Sequence, residues 1–445
     1  MKYVSTRGGD PVSLDQAIAA GIAKDGGLFL PDALPEFAVK DFEDAVSIHE
    51  VAQVLLRPFF EESALAPHLE EIISETFSFP IPLTELSVAT GDLHMLELFH
   101  GPTAAFKDIG AGFLAACLGR LQHDQSMPLT ILVATSGDTG GAVAAAFNER
   151  PGMRVVVLFP EGRVSGRQAR QLTGWGGNVL SLAVQGSFDD CQALVKEAMA
   201  KPDLNARYRF SSANSINIGR LLPQCIYYAH ASLTRYRESG QKPSFIVPTG
   251  NLGNGLALLL CREMGLPVGD VILATNENRV IGDYLEGGEW LPTESKATLA
   301  SAMDVGNPSN MERVLALFGN AASLHRVVKA VSVSDRHIEE EIREGTSEFG
   351  FAICPHTATA CHVYRHLSDE ERRMKDWIVV ATAHPAKFEQ IVEPLTGQIL
   401  PLPDSLRAIL DRPSHSVTIE PDLASFEAAL EEGFGLDARS SAGDK

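Results

Sequence analysis

The residues best suited to chemistry gather around one lysine. In His100-Gly-Pro-Thr-Ala-Ala-Phe-Lys107-Asp108 an apolar run ends in a Gly-Pro turn, and apolar residues then recur at intervals of three and four. That pattern puts Lys107 at the N-terminus of a helix, where the dipole's positive end and partly apolar surroundings both favour the neutral amine. A neutral amine can attack a carbonyl or accept a proton. Lysine at such a turn is also commonly a solvated charge, so the chemistry needs support from elsewhere in the chain.

Other polar stretches supply it. Gly250-Asn251-Leu252-Gly253-Asn254-Gly255 follows an apolar run and precedes a helical pattern. Such a turn gathers backbone N–H groups at a helix start, which suits a phosphate. It lacks the spacing of a P-loop and of the G-x-G-x-x-G fingerprint, so nucleotide binding is not indicated. Ser136-Gly137-Asp138-Thr139-Gly140 combines two hydroxyls and a carboxylate where a helix cap would use one of them, and reads as a ligand contact. Ser211 to Asn217 adds Asn214, Ser215 and Asn217, with Arg163 and Arg167 the nearest basic candidates for a second anion. Thr382, His384 and Lys387 end another strand pattern with a hydroxyl, an imidazole and a cation. Cys354, His356, Cys361 and His362 superficially resemble metal ligands, but on a helix starting near Thr357 they point in different directions, and no metal is expected.

These groups need elements to hold them. Apolar runs at residues 93–99, 130–135, 154–159, 178–184, 245–247, 271–275, 327–333 and 377–382 read as strands, and most are separated by helical patterns. That alternation predicts parallel sheets with helices on their faces, and ligands at the carboxyl ends of the strands. Two such α/β units follow each other, each with a glycine-rich turn, so the expected site is a cleft between them. Ahead of them, Ser13 reads as the cap of a helix ending near Gly21, and helical patterns cover 48–60 and 69–77. This region carries no visible chemistry and reads as a packing domain. The turn Gly91-Asp92 bounds the first strand, and residues 440–445 read as a frayed end.

The chain's 445 residues give room for two or three domains. With 37 Lys+Arg against 57 Asp+Glu the net charge is -20, which makes nucleic acid and anionic membrane surfaces poor partners. A small phosphorylated ligand stays possible, because a few local donors suffice. The six cysteines include no C-x-x-C pair, no apolar stretch approaches the roughly 18 residues of a membrane span, and the N-terminus lacks a targeting pattern. A cytoplasmic location follows as the expectation.

The His100–Asp108 stretch, Thr135-Ser-Gly-Asp-Thr-Gly140, Ser212-Ala-Asn-Ser-Ile-Asn217, Gly250-Asn-Leu-Gly-Asn254, Pro355-His-Thr-Ala358 and Thr382-Ala-His-Pro-Ala-Lys-Phe388 together resemble the threonine synthase family, in order and spacing. Ser5-Thr-Arg-Gly8 and Asp25-Gly-Gly-Leu-Phe29 resemble its longer bacterial and fungal branch. The resemblance implies a fold type II pyridoxal 5'-phosphate enzyme of the tryptophan synthase β-like kind, a cytoplasmic lyase of threonine biosynthesis. The implied division is an N-terminal region over 1–90, a large cofactor-binding α/β domain over 91–114 and 213–445, and a small α/β domain over 115–212. Lys107 would hold the cofactor covalently and act as the base, the Gly250–Asn254 loop would cradle its phosphate, and Thr382 would bond its pyridine nitrogen. Ser136, Asp138 and Thr139 would meet the amino acid, while Asn214, Ser215, Asn217 and Arg163 would meet the departing phosphate. The implied substrate is O-phosphohomoserine and the products are threonine and phosphate. Closure of the small domain would exclude water, and the branch favours a monomer, with a homodimer the alternative. Thr249, Leu252 and Cys354 depart from the family's usual serine, phenylalanine and aspartate. A phospholyase releasing 2-ketobutyrate, and a non-catalytic binder of phosphorylated small molecules, are the rival readings.

Overall fold

The strands that carry the site are buried along their whole length and mostly apolar. Leu129–Ala134, Ser244–Pro248, Val271–Thr275 and Trp377–Ala381 are buried at every position. Strands of a parallel sheet covered on both faces require this. The computed structural model describes residues 1–86, 93–122 and 127–435. The expected turn at Gly91-Asp92 and the expected frayed end over 440–445 lie outside the described residues.

Among the described residues the chain opens with an antiparallel pair, β1 (Tyr3–Ser5) and β2 (Phe29–Pro31). β3 (Leu83–Leu86) and β4 (Leu93–Glu97) begin a first large sheet. β5 (Leu129–Ala134), β6 (Met153–Pro160), β7 (Val179–Val184) and β8 (Phe210–Ser212) make most of a second. β9 (Ser244–Pro248), β10 (Val271–Thr275), β11 (Lys329–Ser332) and β12 (Trp377–Ala381) return to the first, and β13 (Val417–Ile419) comes last. The first sheet runs β11-β10-β9-β12-β4-β3, parallel except for the edge strand β3. The second runs β13-β7-β6-β5-β8, parallel throughout.

The expected division of the chain needs two corrections, and a third strand falls where none was expected. β3 pairs with β4, so residues 83–86 belong to the first sheet and not to the N-terminal region. β13 pairs with β7, and Phe426 on the helix Leu423–Phe434 packs against Phe210, so this late segment returns to the second lobe. β8 takes up the start of the polar stretch Ser211 to Asn217, inside the second lobe as expected. All three strands are short, and two positions of β13 are exposed, so pairing and not an apolar run defines them.

The helix Lys107–Gln122 joins the two lobes, and eleven of its residues are buried, including Gly110, Ala111, Ala115 and Ala116. Small residues let neighbouring elements approach it closely. The N-terminal region is more than packing. Its first helix, Leu14–Ala20, has the predicted Ser13 cap, reciprocated by Gln16. The carbonyls of Ile18 and Ala19 accept from Asn217 and Ser211 at 2.9 Å each. No helix among the described residues is long and apolar enough to cross a membrane.

Candidate active site

Three turns leave the carboxyl ends of the adjacent strands β9, β12 and β4, and each carries a predicted group. After β4 the chain turns through Ala104, whose φ of 56° is unusual for a residue with a side chain. Asp108 holds that turn: its carboxylate accepts from the Thr103 N–H at 2.9 Å and the Thr103 hydroxyl at 2.5 Å. Lys107 therefore starts its helix from a braced loop. After β12, residues 382–384 run back along this loop, with Phe106 donating to the Thr382 carbonyl at 2.9 Å and His384 to the Ala104 carbonyl at 3.0 Å. Thr382 is thus fixed beside Lys107, and its hydroxyl has no protein partner among the described residues.

After β9 comes the glycine-rich turn. A Cβ at Gly250 would lie 2.6 Å from the Met303 Cα, so only glycine permits this approach. Leu252 has a φ of 63°, and the helix Gly253–Glu263 starts immediately after it. The N–H groups of Leu252, Gly253 and Asn254 have no acceptor among the described residues, as the first turn of a helix leaves them. Side chains brace the turn: Asn254 accepts from the Thr249 hydroxyl at 2.7 Å and donates to the Pro248 carbonyl at 2.8 Å. Asn251 donates to the Ser215 hydroxyl at 2.6 Å and accepts from the Ser309 N–H. Asn254 thus commits its side-chain oxygen and one amide proton to the turn.

The fourth turn follows β5 in the second sheet. Thr135 Oγ1 accepts from Gly137 and Gly140 at 3.0 and 2.9 Å, and Gly137 adopts a φ of 149°. Asp138 is engaged by protein through one oxygen: Lys387 Nζ lies 2.9 Å and Gln168 Nε2 3.2 Å from its Oδ1. Ser136 is exposed and Thr139 half-buried, and neither hydroxyl has a protein partner among the described residues.

The structure divides the remaining predicted residues. Asn214 is left with a buried Oδ1 that accepts nothing. Ser215 accepts from Asn251 and keeps its own proton to donate. Asn217 has no such freedom: its amide caps the helix Ile218–Leu221 and donates to Ile18 and Ser212, which corrects the expectation that it meets a phosphate. Arg163 is exposed and its charge acts on Asp190, with no contact to the Lys107 group. Arg167 bonds the Ala386 carbonyl and faces Glu389 and Glu393, bridging the lobes.

Sequence reasoning missed Arg220 and underrated Lys387. Arg220 is buried, donates to the Ala213 carbonyl through one nitrogen, and leaves Nε and Nη2 without partners among the described residues. Burial pushes its pKa down to about 10, with Asp108 opposing. Lys107 is half-buried, yet it sits deep among protein atoms. That desolvation pulls its pKa below the ordinary lysine value against Asp138, and Lys387 and Arg220 add to it. Asp138 is held well below the usual carboxylate range: burial alone would raise it, and Lys387 and Lys107 outweigh burial.

His356, fully buried, accepts from the Ala302 N–H at 3.0 Å, and Cys354 caps the same helix. Burial pushes the imidazole down to about 4, opposed by Asp138 and aided by Lys107 and Lys387. An unfolded chain takes up this proton near the ordinary histidine value, so the contribution to stability is complete above that value and is lost as pH falls toward the folded one. Acidification from about pH 7 to about pH 5 is expected to remove about 2 kcal/mol through this residue. Urea unfolding of His356→Gln, which cannot titrate, should show a correspondingly flatter acid limb.

The residues fit pyridoxal phosphate: an amine without a partner, unclaimed N–H groups in a cradle that a Cβ would fill, and an unpaired hydroxyl beside the amine. Two open α/β lobes with this site between them define a pyridoxal-phosphate-dependent enzyme of fold type II. Residues 79–383 match the family described as pyridoxal-phosphate dependent enzyme, residues 2–77 the threonine synthase N terminus, and residues 357–430 the threonine synthase C-terminal family. The chain belongs to the threonine synthase family. It is 39% identical to the threonine synthase of Escherichia coli (strain K12), covering 95% of this chain and 97% of that relative. Identity to the Serratia marcescens threonine synthase is 40%, over 92% and 94%. The crystal structure of PLP-bound threonine synthase from Brucella melitensis matches with a TM-score of 0.88 at 33% identity, covering 97% of this chain and 99% of that one.

Proposed function

We propose that the chain converts O-phosphohomoserine and water to L-threonine and inorganic phosphate. The observation that carries this reading is the unpaired, desolvated amine of Lys107 at the same end of the first sheet as the Gly250–Asn254 turn, in a chain of this family. Lys107 would hold pyridoxal phosphate, the N–H groups of Leu252, Gly253 and Asn254 would receive its phosphate, and Thr382 its ring nitrogen. When bound, the cofactor supplies an electron sink for negative charge developing on the substrate.

The Lys107 amine removes the substrate's Cα proton and then a Cβ proton, phosphate leaves from Cγ, a proton is returned at Cγ, and water then adds its oxygen to Cβ while a proton is returned to Cα. One amine that serves several transfers works best with a proton affinity near the working pH. Burial moves Lys107 in that direction. Ser136, Thr139 and Asn214, polar groups that the protein leaves free, support binding of the amino-acid part. The Ser215 hydroxyl and the spare donors of Arg220 support binding of the departing phosphate better than exposed Arg163 does. Six buried, unpaired cysteines support a reducing, cytoplasmic setting.

Incubation of the purified holoenzyme with O-phosphohomoserine should yield threonine and phosphate in equal amounts. Ketobutyrate as the main product would replace this reading with the phospholyase, and no turnover would replace it with a binder.

A further inference from the structure

Two lysines enter the cleft, and the structure treats them oppositely. Lys387, on the short helix Pro385–Phe388, is fully buried; its ammonium donates to the Thr103 carbonyl at 2.6 Å and pairs with Asp138 at 2.9 Å. Lys107 keeps part of its surface open, and among the described residues its amine has neither a hydrogen bond nor an ion pair. The Phe106 ring lies 5.7 Å from it. Asp138 nevertheless acts electrostatically on Lys107. In a water-poor site, a carboxylate that engages one ammonium locks that one in its charged form and deprives the other of a counter-ion.

We propose that Lys387 is a positioning residue for the reaction: anchored on Thr103, it engages Asp138 and keeps that carboxylate off Lys107, so the Lys107 amine can gain and lose protons.

The arrangement is held from several sides. Gln168 gives Asp138 a second donor at 3.2 Å, and Gln171 gives the Thr103 carbonyl a second donor at 3.0 Å. Asp108 fixes Thr103 through its N–H and its hydroxyl. Asp138 rides on the helix after β5 and Lys387 on the segment after β12, so the pair also joins the lobes. The charged and titratable groups around Lys107 are Asp108 on its own helix, Asp138, Lys387, Arg220 and His356. Asp138 is the one whose charge works against the neutral amine, and Lys387 is the cation that takes it.

The proposal rests on Lys107 being the cofactor lysine, and its test uses two readouts other than turnover. One is the pH midpoint of the visible absorption of covalently held cofactor in the holoenzyme. The other is the pH dependence of Lys107 acetylation by acetic anhydride in the full chain stripped of cofactor, read by peptide mass spectrometry. Lys387→Met is expected to raise both midpoints by roughly one to three pH units, because Asp138 then turns to Lys107. Asp138→Asn should lower them, Lys387→Arg should leave them within a few tenths of a unit, and the double variant should return toward wild type. Midpoints that stay put, or that move the same way in Lys387→Met and Asp138→Asn, overturn the proposal. Should Lys387→Met not fold, Asp138→Asn decides alone: a midpoint that does not fall is the overturning result. A visible band that survives Lys107→Ala would instead show that the cofactor lysine itself was misassigned.

Discussion

Replacing Lys107 with alanine is expected to lower turnover of O-phosphohomoserine by at least about 10²–10⁴-fold, the span that one positioned proton-transfer group contributes. The visible absorption of the holoenzyme should vanish with it, since the same nitrogen would hold the cofactor. Folding should hardly respond. Lys107 has no hydrogen bond or ion pair to lose among the described residues, and its stem lines a cleft that is partly open, so no sealed cavity forms. Removing an ammonium whose charged form burial already disfavours adds a small stabilising term. Urea unfolding within about 0.5 kcal/mol of wild type is therefore expected for the cofactor-free proteins. The pairing of lost chemistry with intact folding is the signature: a variant that keeps its absorption and more than about a hundredth of its turnover removes Lys107 from the centre of the reaction.

Much of the scaffold was legible because the site hangs on strands that cannot be mistaken. Apolar runs such as Val271–Thr275 and Trp377–Ala381 announce buried parallel strands, and Lys107, Gly250 and Thr382 all follow such runs. Short-range signals also worked, as with the Ser13 cap and the helix Ile48–Phe60. What the sequence hid depends on partners distant in the chain. Thr103 and Lys387 lie 284 positions apart, and nothing near either marks them as bonded. Asp138 reads as a ligand group until Lys387 is found on it, and Asn217 reads so until Ile18 is found under its amide. Arg220 sits among apolar neighbours on a short helix, three residues beyond the polar stretch that drew attention. Polar residue types in a turn thus point to a candidate site, but whether each faces ligand or scaffold is decided by tertiary packing.

Arg313 carries the second large expected effect. It is fully buried on the helix Met311–Phe318, and burial pushes its pKa down to about 9, with Glu312 opposing. Its guanidinium donates to the Phe29 carbonyl at 3.0 Å, the Ile216 carbonyl at 2.6 Å, the Asn310 side chain at 2.7 Å and the Ser215 carbonyl at 3.4 Å. Two effects compete on truncation to alanine. Losing a buried cation relieves its desolvation, whereas four acceptors, two buried and two part-buried, lose a charge-assisted donor. The acceptors should win, because the Phe29 and Asn310 oxygens are buried and each such unpaired group costs about 1–3 kcal/mol. A net loss of about 3–5 kcal/mol in urea unfolding is expected. Arg313→Lys should recover only part of it, since a single ammonium cannot span acceptors spread around a planar fork. The damage should also reach the chemistry. Arg313 holds Ser215 and Ile216, Ser215 holds Asn251, and Asn251 lies in the Gly250–Asn254 turn, so a slack loop misplaces both the hydroxyl and the cradle. A shift of about 1 Å there can cost about 100-fold in kcat/KM. Unfolding of Arg313→Ala within about 1 kcal/mol of wild type, with kcat/KM unchanged, would mean that the N-terminal region and the substrate loop are held independently, and that the fork joining them is dispensable.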